Sequence, residues 1–185
     1  MLKVLRLESA TTMNTNQTCE RYSVMESIIY GWRLGYWEDD VTTQYWDESK
    51  AFEAHNNGTM YEVQYGSVHK PIWYMIVKQD SIDVSLFDNY LNVPLVYAFK
   101  RLKDGTLFRD YTMIRECGQS SDSVLKATLN LYDRQKRLCT IVYHDKRGFE
   151  SSRKVVPFNL EDNILPYPEF GQYEKLLDPN FKVYL

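Results

Sequence analysis

The residue of this sequence most suited to acid or base chemistry is Asp110, because of the turn that fixes what surrounds it. Lys103-Asp104-Gly105-Thr106 separates two alternating apolar runs. An Asp-Gly pair in that setting favours a two-residue type I′ turn, and such a turn sets the register of both flanking strands. Lys103 then faces Thr106, and Lys100 faces Arg109. Two like charges opposite one another need water between them, so the face carrying Val96, Ala98, Lys100, Arg109, Tyr111 and Met113 is expected to be solvated. The other face, with Leu95, Tyr97, Phe99, Arg101, Phe108, Asp110, Thr112 and Ile114, is expected to point inward.

On that reading Asp110 lies among Tyr97, Phe99 and Phe108. A carboxylate in such surroundings acquires a cation or hydrogen-bond donors, or its pKa rises until it is neutral. Arg101, its diagonal neighbour, supplies the cation if the two form an ion pair at the rim of the core. The chemical alternative makes Asp110 a catalytic acid/base group or polar anchor. The ligand would be small and apolar or aromatic, lined by Tyr61, Tyr97, Phe99 and Phe108, with Arg101 as a second anchor.

A second constellation joins the acidic run Glu38-Asp39-Asp40 to Tyr45, Trp46, Asp47 and Glu48. Aromatic anchors flanked by carboxylates suit a surface that captures a basic protein, and Asp39, Asp40, Tyr45 and Trp46 are the candidate partner-binding residues. The plain alternative is that Asp39 or Asp40 caps a helix.

Other chemistry is excluded by spacing. His55, His69 and His144 are far apart, with neither helical metal-site spacing nor an adjacent cysteine, so no metal is expected. The eight glycines form no phosphate-cradling loop, so no nucleotide cofactor is expected. Cys19, Cys117 and Cys139 form no CxxC pair and leave at least one thiol unpaired, which points to a reducing, cytoplasmic setting.

The elements that must position these residues are mostly strands. Aromatic residues make up 15 % of the 185 residues, and 15 of them are tyrosines, which suit half-buried sheet faces. After Gly58, alternating segments separated by turn residues read as about eight antiparallel strands: 61–65, 72–77, 82–86 and, approximately, 94–102, 106–115, 123–132, 137–144 and 149–156. Such a meander protects its edges by curling into a barrel or half-barrel. Before it, Met25, Ile28, Ile29, Trp32 and Tyr36 recur at helical spacing. A second helical pattern runs from about Val41 through Tyr45, Trp46 and Phe52 to the Asn56-Asn57-Gly58 stop signal. The expected class is therefore α+β, mainly β, with one or two N-terminal helices over the sheet. Residues 1–18 read as a flexible leader, residues 19–185 as a single globular domain, and the tail from Pro157 as an extended surface segment.

Charge is unevenly spread. Residues 1–99 carry 7 Lys/Arg against 13 Asp/Glu, whereas residues 100–154 carry 13 against 7. The basic stretch includes Arg134, Lys136, Arg137, Lys146, Arg147, Arg153 and Lys154, a solvated edge if the last hairpins stack side by side. Nucleic acid would also demand aromatic platforms on that edge, and none is legible, so it is not the expected partner. No apolar run reaches the 18 residues of a membrane-spanning helix. The sequence thus leads to a non-enzymatic cytoplasmic protein acting through protein–protein contact, an inhibitor or immunity-like partner. The alternative is a cofactor-independent enzyme or carrier with a small ligand in the concave face of a curved sheet.

Overall fold

The computed structural model describes residues 27–34, 43–120 and 123–178. They form one antiparallel sheet of eleven strands with a single α-helix among the described residues. The strands are β1 (Ser27–Trp32), β2 (Gln44–Trp46), β3 (Tyr61–Ser67), β4 (Lys70–Val77), β5 (Ser81–Leu86), β6 (Leu95–Arg101), β7 (Leu107–Cys117), β8 (Val124–Asp133), β9 (Leu138–His144), β10 (Glu150–Pro157) and β11 (Ile164–Leu165). Helix α1 spans Glu48–Asn57. Strands β3 to β10 form a continuous meander, β1 and β2 extend it beyond β3, and β11 pairs with β7 off the main path.

Two expectations are corrected here. The sheet is open, ending at β2 and β10 instead of closing into a barrel. The helix expected at Met25, Ile28, Ile29, Trp32 and Tyr36 is, in its described part, strand β1, whose residues pair with β3 from Ser27↔Gly66 to Gly31↔Glu62. Six residues with adjacent apolar side chains fit either period, and pairing with a preformed neighbour decides for the strand. Gly31, an awkward residue in a helix, is required in β1. A Cβ there would collide with the Gln44 carbonyl oxygen and the Leu34 side chain.

The second helix exists but starts later than Val41, because Tyr45 and Trp46 belong to β2. Its cap is Asp47, whose Oδ1 accepts the Lys50 N–H at 2.8 Å, so the capping role considered for Asp39 or Asp40 belongs to Asp47. Gly58 closes the helix at φ +68°, where its N–H reaches the last carbonyls. Asp39 and Asp40 themselves, and the whole of the leader (residues 1–18), lie outside the described residues.

One face of the sheet is covered. Ala51 and Ala54 of α1, both buried, seat the helix against a core that includes Tyr61, Val63, Met75, Val77, Ile82, Val84, Tyr97 and Phe99. The segment after Pro157 does more than cross the surface. It turns through a 3-10 helix (Leu160–Asn163), pairs Ile164 and Leu165 with Phe108 and Leu107, and then buries Tyr173 and Leu176 in that core. Burying side chains of this size stabilises by about 1.5–3 kcal/mol each, which is why a proline-bearing segment without helix or strand periodicity still docks.

The β6–β7 hairpin departs from the register inferred from Asp-Gly. Leu102 N–H donates to Thr106 O at 2.7 Å and Gly105 N–H to Leu102 O at 3.0 Å, with Gly105 at φ +86°. This longer turn, ending in a left-handed glycine, shifts the pairing by one residue. Arg101 faces Leu107, Lys100 faces Phe108 and Phe99 faces Arg109; a bulge then leaves Asp110 without an opposite number, and from Ala98↔Tyr111 onward the ladder is the one the turn signal implied. Two irregularities cancel along the strand, and only the residues between them change face.

Candidate functional site

Arg109 and Asp110 exchange the roles expected of them. Arg109 points into the covered face at 1 % exposure. Its Nε donates to Asn163 Oδ1 at 2.9 Å and its Nη2 bonds the same oxygen. Its guanidinium carbon lies 5.2 Å from the Tyr132 ring centre and 5.8 Å from that of Tyr97. Hydrogen bonds and ring faces together compensate a cation in such a place. Cys139, on β9 in the same region, has its thiol pushed up to about 11 by burial, against the opposing pull of Arg109. It is therefore an unreactive thiol.

Asp110 turns to the opposite, open face. Its Oδ2 lies 2.6 Å from Lys100 Nζ. Arg101, the partner considered for Asp110, is exposed, and its guanidinium sits 4.1 Å above the Tyr167 ring centre. The inward placement of Asp110 is thus overturned by the bulge, while the outward placement of Lys100 holds, since its side chain is 68 % exposed. Tyr61, Tyr97 and Phe99 do face the covered side as expected. They are fully buried there, and Phe170, Tyr173 and Leu176 from the C-terminal segment pack into the same core. Phe108 belongs to a separate buried cluster with Tyr132, Cys139, Ile141 and Phe158.

A polar chain runs through this covered face that the sequence did not suggest. Tyr173 and Tyr61 hydroxyls are 3.0 Å apart, and the Tyr61 hydroxyl is 2.8 Å from His55 Nδ1. The other end of the histidine bonds the Pro168 backbone. With Nε2 donating to that carbonyl, neutral His55 accepts from Tyr61 at Nδ1, and Tyr61 in turn accepts from Tyr173. Burial, aided by the charge of Arg101, lowers the His55 pKa and favours this neutral form. Burial drives the Tyr61 pKa far above the ordinary tyrosine range, so its hydroxyl stays protonated. The chain ties α1 and the C-terminal segment to β3 and leaves its central hydroxyl enclosed.

Of the partner-binding candidates Tyr45 and Trp46 lie on β2, and Asp39 and Asp40 lie outside the described residues. Tyr45 is 58 % exposed on β2, and Phe52 on α1 is 52 % exposed, with Asp47, Glu48 and Glu53 exposed between and beside them. Trp46 is half-buried against the core, with the Lys50 ammonium 4.3 Å from its ring centre. Phe52 gives no site signal in the sequence, where it reads as part of the apolar stripe of a helix. Its ring meets Phe170 edge-on at 5.4 Å, so one side of it is anchored while the rest stays open.

At the far end of the sheet β8, β9 and β10 lie side by side, but Arg134, Lys136 and Arg137 occupy the β8–β9 turn and Lys146 and Arg147 the β9–β10 turn, at opposite ends of these strands. Several basic residues are locally paired: Arg153 with Glu150, Arg147 with Asp145 and Lys136 with Asp133. Exposed pairs of this kind hold charge in water and add little stability. Among the described residues no group of three His, Cys, Asp or Glu is placed to hold a metal ion. No described helix is long and apolar enough to cross a membrane. Comparison with protein-family models, with curated proteins and with solved structures returns no match.

Proposed function

We propose that this protein is a non-enzymatic binding protein that works by protein–protein contact, presenting the acidic, aromatic surface of β2 and α1 to a basic partner. The observation that carries this reading is the contrast between the two aromatic sets. Tyr61, Tyr97 and Phe99, the residues a concave ligand site would use, are buried under the C-terminal segment, whereas Tyr45 and Phe52 stand in solvent beside Asp47, Glu48 and Glu53. Large exposed aromatics framed by carboxylates are what an anchor-and-rim interface requires, and the carboxylates favour capture of a cationic surface. That surface supports an inhibitor or immunity-like role. We place the protein in the cytoplasm, in keeping with the free thiols Cys117 and Cys139.

The test is capture of a partner from the native host by the intact protein and by two variants. Tyr45→Ala with Phe52→Ala removes the anchors, and Glu48→Lys with Glu53→Lys reverses the rim. Both pairs are exposed and leave the fold in place, so circular dichroism should be unchanged while capture is lost.

A further inference from the structure

We propose that the protein dimerises through the open face of β6–β10, two copies packing these strands face to face about a twofold axis. The face is defined by the register, because residues opposite one another on neighbouring strands share a side of the sheet. One row of such neighbours runs Val96, Met113, Leu129 and Val142. The next row runs Ala98, Tyr111, Leu131, Thr140 and Val155. Only Thr140 among them lacks a mainly apolar side chain. The row between them, Tyr97, Thr112, Asn130 and Ile141, points the other way and is fully buried in the covered face.

An antiparallel sheet with one face in water normally alternates apolar inward and polar outward. β5 obeys that rule, setting Asp83 and Ser85 beside Ala98 and Val96 on the open face. From β6 to β9 the rule fails, and apolar side chains stand on the face that the chain leaves open. Ala98 and Val142 are shielded by their neighbours, but Leu131 is 42 % exposed and Val155 54 % exposed. Val96, Tyr111, Met113 and Leu129 are partly exposed between them.

The charges bordering the two rows are engaged within the chain. Lys100 meets Asp110 at 2.6 Å, Lys78 meets Asp83 at 2.8 Å and Arg153 meets Glu150 at 2.6 Å. Arg115 donates to the Val93 carbonyl at 3.4 Å. An apolar centre inside a polar border is the anatomy of a protein interface, and the centre is most apolar in homodimers.

Two arguments select a second copy as the occupant. A flat apolar sheet face packs on another sheet face with strands nearly aligned, and a twofold axis supplies such a face from the same surface. The available area is also sufficient. β6 to β10 are five adjacent strands of at least seven residues each. At about 4.8 Å per strand and 3.4 Å per residue they present about 24 Å by 24 Å, or roughly 1,150 Å² over two copies, just above the 1,000 Å² that a specific interface needs. An interface of that size implies a weak dimer, with a dissociation constant on the order of micromolar to hundreds of micromolar. β2 lies at the opposite end of the sheet from β10, so the β2–α1 surface stays free and this inference does not rest on its role.

Sedimentation equilibrium of the full chain from about 5 μM to 1 mM spans the expected range. A monomer–dimer equilibrium is expected, and amide NMR shifts between the two ends of that range should fall on β6–β10. Leu131→Lys with Val155→Lys should weaken dimerisation more than about a hundredfold, because a twofold contact buries each new charge twice. Val155→Lys alone, on the edge strand, should weaken it at least about tenfold, with circular dichroism verifying the fold of each variant. Tyr45→Lys, on β2, should leave dimerisation unchanged. A monomer at every concentration, growth beyond a dimer, undiminished dimerisation of folded Val155→Lys, or loss of the dimer in Tyr45→Lys would each overturn the proposal.

Discussion

Lys100 Nζ meets Asp110 Oδ2 at 2.6 Å on the open face, one residue along the strand from an Arg109 that is buried on the other side. The two adjacent charged residues of β7 therefore have unlike energetic weights. Lys100→Ala removes an exposed partner and is expected to change unfolding free energy by less than about 1 kcal/mol. Arg109→Ala strips the Asn163 amide oxygen of its donors and opens a void, and is expected to cost about 3–5 kcal/mol. Urea titration of both variants checks the contrast, and equal losses would contradict the assigned facings.

The His55–Tyr61–Tyr173 chain makes stability depend on pH. The His55 pKa in the folded protein lies below its value in the unfolded chain, near 6.5, so the unfolded state takes up the proton first on acidification. The contribution of neutral His55 is complete above about pH 6.5 and is lost progressively as the pH falls from there through the lowered folded pKa. Melting temperatures between about pH 5 and 8 should therefore fall on the acid side more steeply for the wild type than for His55→Gln. Parallel curves would show that His55 is not held neutral.

Tyr61→Phe keeps the packed ring but leaves His55 Nδ1 without its donor and Tyr173 without its acceptor. Because Tyr61 is fully enclosed, water does not replace the hydroxyl, and a loss of about 1–3 kcal/mol is expected in chemical denaturation. Tyr173→Phe, which leaves the Tyr61–His55 bond intact, should cost less. The reverse order would contradict the donor direction assigned here.

Cysteine labelling reports on the same interior. Burial raises the thiol pKa of both Cys139 and Cys117, with Cys139 reaching about 11. Iodoacetamide at neutral pH, followed by peptide mapping, should leave Cys139 unmodified until denaturant is added. Rapid labelling of Cys139 in the native protein would mean that β9 is not covered as described.

The meander from β3 to β10 was readable because each strand alternates or carries a continuous apolar core segment between turn residues, and the helix stop at Gly58 was readable from its left-handed requirement. β1 was not, since six residues containing Ile28, Ile29 and Trp32 satisfy a helical period as well as a strand one, and only pairing with β3 decides. The C-terminal cover was invisible for a related reason. Tyr173 and Leu176 are buried in a core of residues far earlier in the chain, Tyr173 meeting Tyr61 across 112 positions, and such contacts leave no local pattern. The face of Asp110 is not legible from the turn signal, which puts it inward, whereas the bulge sets it beside Lys100. The Asp-Gly signal specifies that a turn occurs, while the length of that turn and the compensating bulge depend on how Arg109 and Leu107 are accommodated in the core.

The proposed function rests on the β2–α1 surface being the partner-binding face. The deciding measurement is calorimetric titration of the captured partner against wild type, Tyr45→Ala/Phe52→Ala and Glu48→Lys/Glu53→Lys, each verified as folded. Loss of the two aromatic anchors is predicted to weaken binding by at least about 2 kcal/mol, roughly thirtyfold. Charge reversal is predicted to weaken it further at low salt than at high salt. Unchanged affinity in both variants would contradict the proposed function and remove this face from consideration.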